Sequence, residues 1–298
     1  MVSAADLSGV HVALATPVSD DGTTLDHEGL ARLVDRAVTG GVRAVCPAGS
    51  TGEGPRLTRS ARREVTSAVR GLVPAGTPVV PAPSAMTARD AIKEIAGLAD
   101  AGADAVLLAP PSYYPMAPDE VTDHMLAVAD AAAVPMVLYN IPGMTGVSLP
   151  ADVVARLAAH ERVVGVKDSS RDLEYLQSVL YAVGDTEFAV LTGSDTMLLA
   201  SLVLGASGTI AASANLVPGL GRAVYDAVLA GELAAAGTAQ RQLFDVIQAC
   251  RAGTLPAGWK AALSLAGLCS AAPVAPAAPL DPGRRAALAD RLRELHAI

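Results

Sequence analysis

The stretch Val163-Val164-Gly165-Val166-Lys167-Asp168-Ser169-Ser170 opens on four residues suited to a buried strand and closes on four that carry polar groups. Side chains alternate along a strand, so Lys167 is directed to one face and Asp168 to the other. Seven further runs share its character, at 10–17, 44–48, 79–83, 105–109, 136–140, 188–192 and 208–212. Between the eight lie alanine-rich helical patterns at 26–39, 58–71, 87–101, 118–131, 150–159, 172–183 and 196–204. Strands separated by helices of this length pair in parallel through crossovers, and eight of them predict an α/β fold closed into a (β/α)8 TIM barrel. Asp26, Thr58, Thr87 and the run Ser148-Leu149-Pro150 mark helix starts, through side-chain capping or a proline in the first turn.

Past Leu216 the alternation stops, and helical periodicity continues at 222–230, 233–250, 258–268 and 282–297. An Ala/Pro-rich connector at 271–279 precedes the last of these. The expected organisation is a catalytic barrel over 1–225 with a helical extension over 226–298 packed on it. A chain of 298 residues suits that plan.

Composition narrows the partners. Apolar runs are broken every few residues by Gly, Pro or a charge, so no segment of the length a membrane helix needs is present. The first nine residues lack a basic and an apolar region in signal-peptide order, so a cytoplasmic location is expected. A formal charge of −8 with scattered basic residues argues against nucleic acid. Cys46, Cys250 and Cys269 are far apart and near no His cluster, which predicts buried thiols rather than a disulfide or a metal site.

Only Lys93, Lys167 and Lys260 are lysines among the 22 basic residues. Lys93 lies in an amphipathic helical pattern and Lys260 follows Trp259 at the start of another, so both are expected to snorkel at the surface. Lys167 ends a strand instead. Barrel enzymes carry their reactive groups at the C-terminal ends of strands, and an inward lysine there is desolvated, which favours the neutral, nucleophilic amine. A structural ion pair is the competing account of such a lysine.

Other strand ends are also polar. Tyr139 closes the run at 136–140, where a phenol serves either as a proton shuttle or as a packed strand residue. Gly49-Ser50-Thr51-Gly52 offers hydroxyls and amides suited to a carboxylate, although alone it reads as an ordinary strand-to-helix turn.

The joint occurrence of Gly49-Ser50-Thr51-Gly52-Glu53, Tyr113-Tyr114, Tyr139-Asn140-Ile141-Pro142 with Thr145-Gly146, and Gly165-Val166-Lys167-Asp168-Ser169-Ser170 resembles the dihydrodipicolinate synthase/N-acetylneuraminate lyase family. The resemblance runs from Val10 to about Leu268. It implies a class I aldolase, usually a homotetramer, that holds a small-molecule 2-oxo acid as a covalent imine and uses no metal or organic cofactor. Lys167 then forms the imine and Tyr139 transfers protons at the reacting carbon. Ser50 and Thr51 match the hydroxyl pair that contacts the carboxylate of the bound 2-oxo acid and relays protons to Tyr139, with Gly49 also among the substrate-binding residues. Tyr113 matches a tyrosine that members insert into a neighbouring subunit's site, with Tyr114 next in register. Ile210 offers a backbone carbonyl near the imine, Gly193 and Asp195 line the side where substrate hydroxyls bind in the sugar-acid lyases, and Ser169 is a further substrate-binding residue.

Three departures bear on substrate. Synthases of the family usually carry an arginine where this chain has Met144, and a thioether cannot make that bidentate salt link. They also commonly read KEAT after the imine lysine, against KDSS here, and GTTGE against the GSTGE of 49–53. These positions favour a lyase that cleaves a 2-keto-3-deoxy sugar acid to pyruvate and an aldehyde, with N-acetylneuraminate-like or 4-hydroxy-2-oxoglutarate-like acids behind it. A divergent dihydrodipicolinate synthase, a dehydratase or deaminase on the same imine, and a noncatalytic sensor are the alternatives. Arg171 stands where glycine is usual; it reads as a solvated helix-start residue, or else as a cation replacing the one missing at Met144.

Overall fold

The computed structural model describes residues 2–298. Seven strands, β1 (Gly9–Ala13), β2 (Ala44–Cys46), β3 (Val106–Leu108), β4 (Met136–Asn140), β5 (Val163–Asp168), β6 (Ala189–Thr192) and β7 (Gly208–Ala211), pair in parallel in the order β2-β1-β7-β6-β5-β4-β3. The helices between them are α1 (His27–Thr39), α2 (Arg59–Leu72), α3 (Ala88–Asp100), α4 (Pro118–Ala131), α5 (Pro142–Thr145), α6 (Ala151–Ala158), α7 (Leu173–Val183) and α8 (Leu198–Val203). The result is a nearly closed barrel jacketed by helices, as the alternation predicts.

The run at 79–83 is not a regular strand, and the reason is its prolines. Pro78, Pro81 and Pro83 have no N–H to give to a ladder. The segment nevertheless bonds both neighbours: Val80 N–H donates to Val45 O at 2.9 Å, while Asp104 and Leu107 N–H donate to Val79 O and Pro81 O, each at 2.9 Å. It therefore fills the gap between β2 and β3 as an irregular eighth stave.

Alternation sorts the side chains into layers. Outward residues such as Val12, Leu138 and Val190 pack beneath the helices, and inward ones, among them Ala13, Val137, Tyr139, Leu191 and Ile210, fill the barrel. Asp26, Thr58 and Thr87 each accept a hydrogen bond from the third residue onward and start α1, α2 and α3 as predicted. Pro150 sits one place earlier than expected, as the N-cap of α6.

The C-terminal helices are α9 (Pro218–Leu229), α10 (Leu233–Cys250), α11 (Ala257–Leu265) and α12 (Pro282–Glu294). The division expected at 225/226 falls inside α9. Leu243, Ile247, Trp259 and Leu292 from these helices share one apolar cluster with Val10 and Val12 of β1 and Leu33 of α1, so the extension continues the barrel's jacket. All three cysteines are free and buried.

Lys93 is exposed as expected, but Lys260 is not a snorkelling lysine: it is 0% exposed. Its Nζ lies 3.0 Å from Glu53 Oε1 and donates to Ala272 O at 2.8 Å. A buried ammonium is tolerated only when paired and hydrogen-bonded, and the partner here comes from a distant loop that helical periodicity does not reveal.

Candidate active site

Parallel pairing of β4 with β5 sets Tyr139 beside Lys167 and Asn140 beside Asp168. The first pair points into the barrel and the second away from it. Lys167 Nζ stands 4.5 Å from the centroid of the Tyr139 ring and 3.5 Å from its hydroxyl, the outer limit of a hydrogen bond. The Tyr139 hydroxyl is in turn 3.2 Å from Ser50 Oγ. An amine, a phenol and an alcohol thus form a continuous polar chain at the barrel mouth.

The outward pair braces it. The Asp168 carboxylate accepts from Asn140 Nδ2 at 2.8 Å, from Ser170 N at 3.0 Å and from Ser170 Oγ at 2.8 Å. Burial pushes the Asp168 carboxyl up, and these donors oppose the shift. Gly193 N–H donates to Asp168 O at 2.6 Å. A Cβ on Gly193 would lie 2.7 Å from Lys167 Cε and collide with Ser169 Oγ, so the lysine stem needs glycine there.

Ser50 is fixed from below. Glu53 N–H donates to Ser50 O at 3.2 Å, and Thr16 Oγ1 donates to Gly52 O at 2.6 Å. A Cβ on Gly52 would come within 2.6 Å of Leu14 O, so this turn requires a residue without one. Glu53 closes the turn in the left-handed region at φ 57°. Its carboxylate meets Lys260, accepts from Arg56 Nη1 at 3.1 Å and accepts from Val274 N at 2.9 Å. The loop carrying Ser50 and Thr51 is therefore tied to the C-terminal extension through a buried ion pair.

A cavity of about 620 Å³ opens over Lys167 and is lined by Ser50, Thr51, Tyr139, Ser169, Gly193, Asp195 and Ile210. Asp195 is buried, which raises its carboxyl; the Ser213 N–H that its Oδ2 accepts at 2.9 Å and the nearby Lys167 charge pull the other way. A second cavity of about 440 Å³ adjoins across Tyr139, and Gly49 lines it. Met144 borders both and is largely exposed.

Tyr113 is not brought in by its own chain. It is 86% exposed, holds a left-handed φ of 86°, and its ring meets that of Tyr114 edge-on at 4.9 Å. The residues that periodicity missed are Cys250, Arg251, Leu255 and Trp259, which form the cavity wall opposite the strand ends. Only the tertiary fold brings that wall over Lys167, although Arg251 at the end of a helix of 18 residues is a visible cation in the sequence. Arg171, read as a solvated helix-start residue, borders the same cavity.

Among the described residues no group of three His, Cys, Asp or Glu side chains is arranged to hold a metal ion, and no helix is long and apolar enough to cross a membrane.

Known proteins resemble this chain over almost its whole length. Residues 6–295 match the model of the Dihydrodipicolinate synthetase family. The 4-hydroxy-tetrahydrodipicolinate synthase of Sorangium cellulosum is 36% identical, covering 98% of this chain and 97% of its own. That of Methanosarcina barkeri is 34% identical, over 97% of this chain and 99% of its own. A prophage protein of the dihydrodipicolinic acid synthase family from E. coli K12, solved with pyruvate, superposes with a TM-score of 0.92 at 30% identity over 98% of this chain and 99% of its own. The chloride-inhibited dihydrodipicolinate synthase of Acinetobacter baumannii, also complexed with pyruvate, gives 0.93 at 29% identity over 98% and 100%. A match that spans the barrel, the strand-end polar chain and the extension alike leaves one conclusion: the chain belongs to the dihydrodipicolinate synthetase family of lysine-imine class I aldolases, carbon–carbon lyases that work on pyruvate without an external cofactor.

Proposed function

We propose that Lys167 forms the imine and that the protein cleaves a 4-hydroxy-2-oxo acid of the 2-keto-3-deoxy sugar-acid class to pyruvate and an aldehyde. The observation that carries this reading is the chain of contacts from Lys167 Nζ through the Tyr139 hydroxyl to Ser50 Oγ, at 3.5 and 3.2 Å. The amine attacks C2, water leaves, and the resulting protonated imine draws the electrons of the C3–C4 bond into an enamine. Tyr139 takes the C4 hydroxyl proton as its own moves on through Ser50, and the aldehyde departs. A proton returned along that path saturates C3 of the enamine. Water then hydrolyses the imine, freeing pyruvate and the amine.

Ser50 and Thr51 hold the 2-oxo acid's carboxylate, Ile210 presents its carbonyl near the imine, and Gly193 and Asp195 line the side taken by the hydroxyls of the departing half, with Gly49 and Ser169 also among the substrate-binding residues. Met144 supports a lyase over a synthase, because it offers no charge to a second carboxylate. A second reading is supported by the names of the curated relatives: condensation of the same enamine with aspartate semialdehyde, as in 4-hydroxy-tetrahydrodipicolinate synthase. The exposure of Tyr113 supports a homotetramer in which it completes a neighbour's site; a monomer in solution scattering would remove that role.

The test is borohydride reduction with pyruvate followed by peptide mass mapping. A reduced three-carbon adduct on the Lys167 peptide is expected, and its absence overturns the reading. Pyruvate release from a panel of 4-hydroxy-2-oxo acids, set against condensation with aspartate semialdehyde, decides between the two reactions.

A further inference from the structure

Among the described residues Ser50 Oγ has one hydrogen-bond partner, the Tyr139 hydroxyl at 3.2 Å. That contact lies near the limit of reach, so a shift of about half an ångström in the loop would break the polar chain to Lys167. Whatever fixes the loop therefore fixes the relay. Ala48 and Glu53 bracket it, and both hold left-handed backbones, with φ 56° and 57°. A residue bearing a Cβ keeps that conformation only where its surroundings enforce it. Gly54 N–H donates to Gly49 O at 3.0 Å, and the buried Arg62 guanidinium donates to Gly54 O at 2.8 Å.

The Glu53 carboxylate supplies the remaining hold. Its Oε2 accepts from Arg56 Nη1 and from Val274 N, at 3.1 and 2.9 Å. Its Oε1 faces Lys260 Nζ at 3.0 Å and, among the described residues, has no other polar partner. Lys260 lies on α11 beside Trp259, which lines the cavity over Lys167. One helix thus supplies a wall of the cavity and the anchor of the Ser50 loop. A buried ion pair is weak evidence of stability for its own sake, because well-packed apolar residues often serve as well. Its place under a strained loop whose one outward contact is the relay points to orientation instead. Neither Glu53 nor Lys260 borders the cavity over Lys167.

We propose that Lys260 is a positioning residue: through Glu53 it holds Ser50 within hydrogen-bond reach of Tyr139, and so couples docking of the C-terminal extension to proton transfer at the imine. The inference rests on the imine reading above and deepens it. In the pyruvate imine Tyr139 takes a C3 proton as its own moves on through Ser50; the C3–H electrons form the enamine double bond, and the imine electrons pass to nitrogen. Loss of the anchor slows this step and leaves the imine itself able to form.

The experiment uses pyruvate alone, with no aldehyde, on the full-length protein. Borohydride trapping reads the extent of imine formation, and loss of the methyl signal in heavy water, followed by proton NMR, reads transfer at C3. E53Q/K260M removes both charges. It should trap pyruvate on Lys167 to the unsubstituted extent while exchanging methyl protons about 10²-fold more slowly, the effect of a displacement near 1 Å. E53D keeps both charges, shortens the tether by one methylene and should slow exchange about ten-fold; it replaces the double variant if that one does not fold. In an S50A background the same substitutions should add no further slowing, because residues that act through one group are not additive. Exchange at the unsubstituted rate in the folded variant overturns the inference, as does trapping that falls in step with exchange, or a full second loss on top of S50A. Trapping on the unsubstituted protein keeps the two readings apart: no adduct removes the imine, whereas an adduct with exchange indifferent to the anchor removes only the positioning role.

Discussion

Lys167 and Tyr139 occupy the same rung of the β4–β5 pairing, and the amine lies over the phenol ring at 4.5 Å from its centroid. Any motion of one strand against the other would part them, so the register of the barrel sets the geometry of the chemistry.

Replacing Tyr139 by Phe keeps the ring beneath the amine and removes the proton path. The expected outcome is a fall in kcat of roughly 10²- to 10⁴-fold, the range for a positioned acid–base group. Borohydride trapping of pyruvate, slowed but still on the Lys167 peptide, would separate this from loss of the nucleophile. Lys167→Ala should give no adduct.

Gly193→Ala puts a methyl 2.7 Å from Lys167 Cε. Ser169 Oγ and the far end of the lysine must both yield, since the Asp168 carbonyl beside them is strand backbone. A displacement near 1 Å is expected to lower kcat about 10²-fold. Thermal unfolding should move little, and a large drop in midpoint would show that the damage lies in folding instead.

The Glu53–Lys260 pair, with both side chains 0% exposed, predicts a strong asymmetry between breaking and replacing it. Lys260→Met or Glu53→Gln alone leaves a buried group uncompensated and should cost about 3 to 5 kcal/mol in urea unfolding. The double substitution should recover most of that. Additive losses would mean that the two residues do not act as a pair.

His11 links stability to pH. It is wholly buried at the barrel floor, 2.7 Å from Leu7 O, which as a carbonyl only accepts, so Nε2 carries the proton and the neutral ring fits. Burial depresses its pKa from 6.5 to about 4, with the Arg43 charge adding to the effect. Below pH 6.5 the unfolded chain binds a proton that the folded one refuses until about pH 4. Stability is therefore full above pH 6.5 and falls by about 3 kcal/mol on the way to pH 4. His11→Leu should flatten that part of the pH profile in denaturant unfolding.

The sequence is most informative where local rules operate. Period and capping place α1, α4, α10 and the strand-end lysine correctly, because those signals lie within a few residues of what they determine. Three features escape for a common reason. Pro78, Pro81 and Pro83 interrupt an otherwise good strand pattern, yet the donors that hold the segment belong to its neighbours. Lys260 resembles a surface lysine until a partner 207 positions away supplies the charge. Arg251 and Trp259 become cavity wall only when α10 and α11 fold over the barrel mouth. Tyr113 is legible as a motif residue, but a single chain leaves it in solvent.

That wall has a consequence for the order in which the molecule becomes competent. The lysine, the phenol and the serine are all synthesised before residue 170, while the side that shelters them arrives some eighty residues later. A nascent chain that has completed its eight staves holds its amine in a cup open to bulk water. Docking of α10 and α11 closes the vessel, so the shelter over Lys167 is completed only after the strand-end groups have been synthesised.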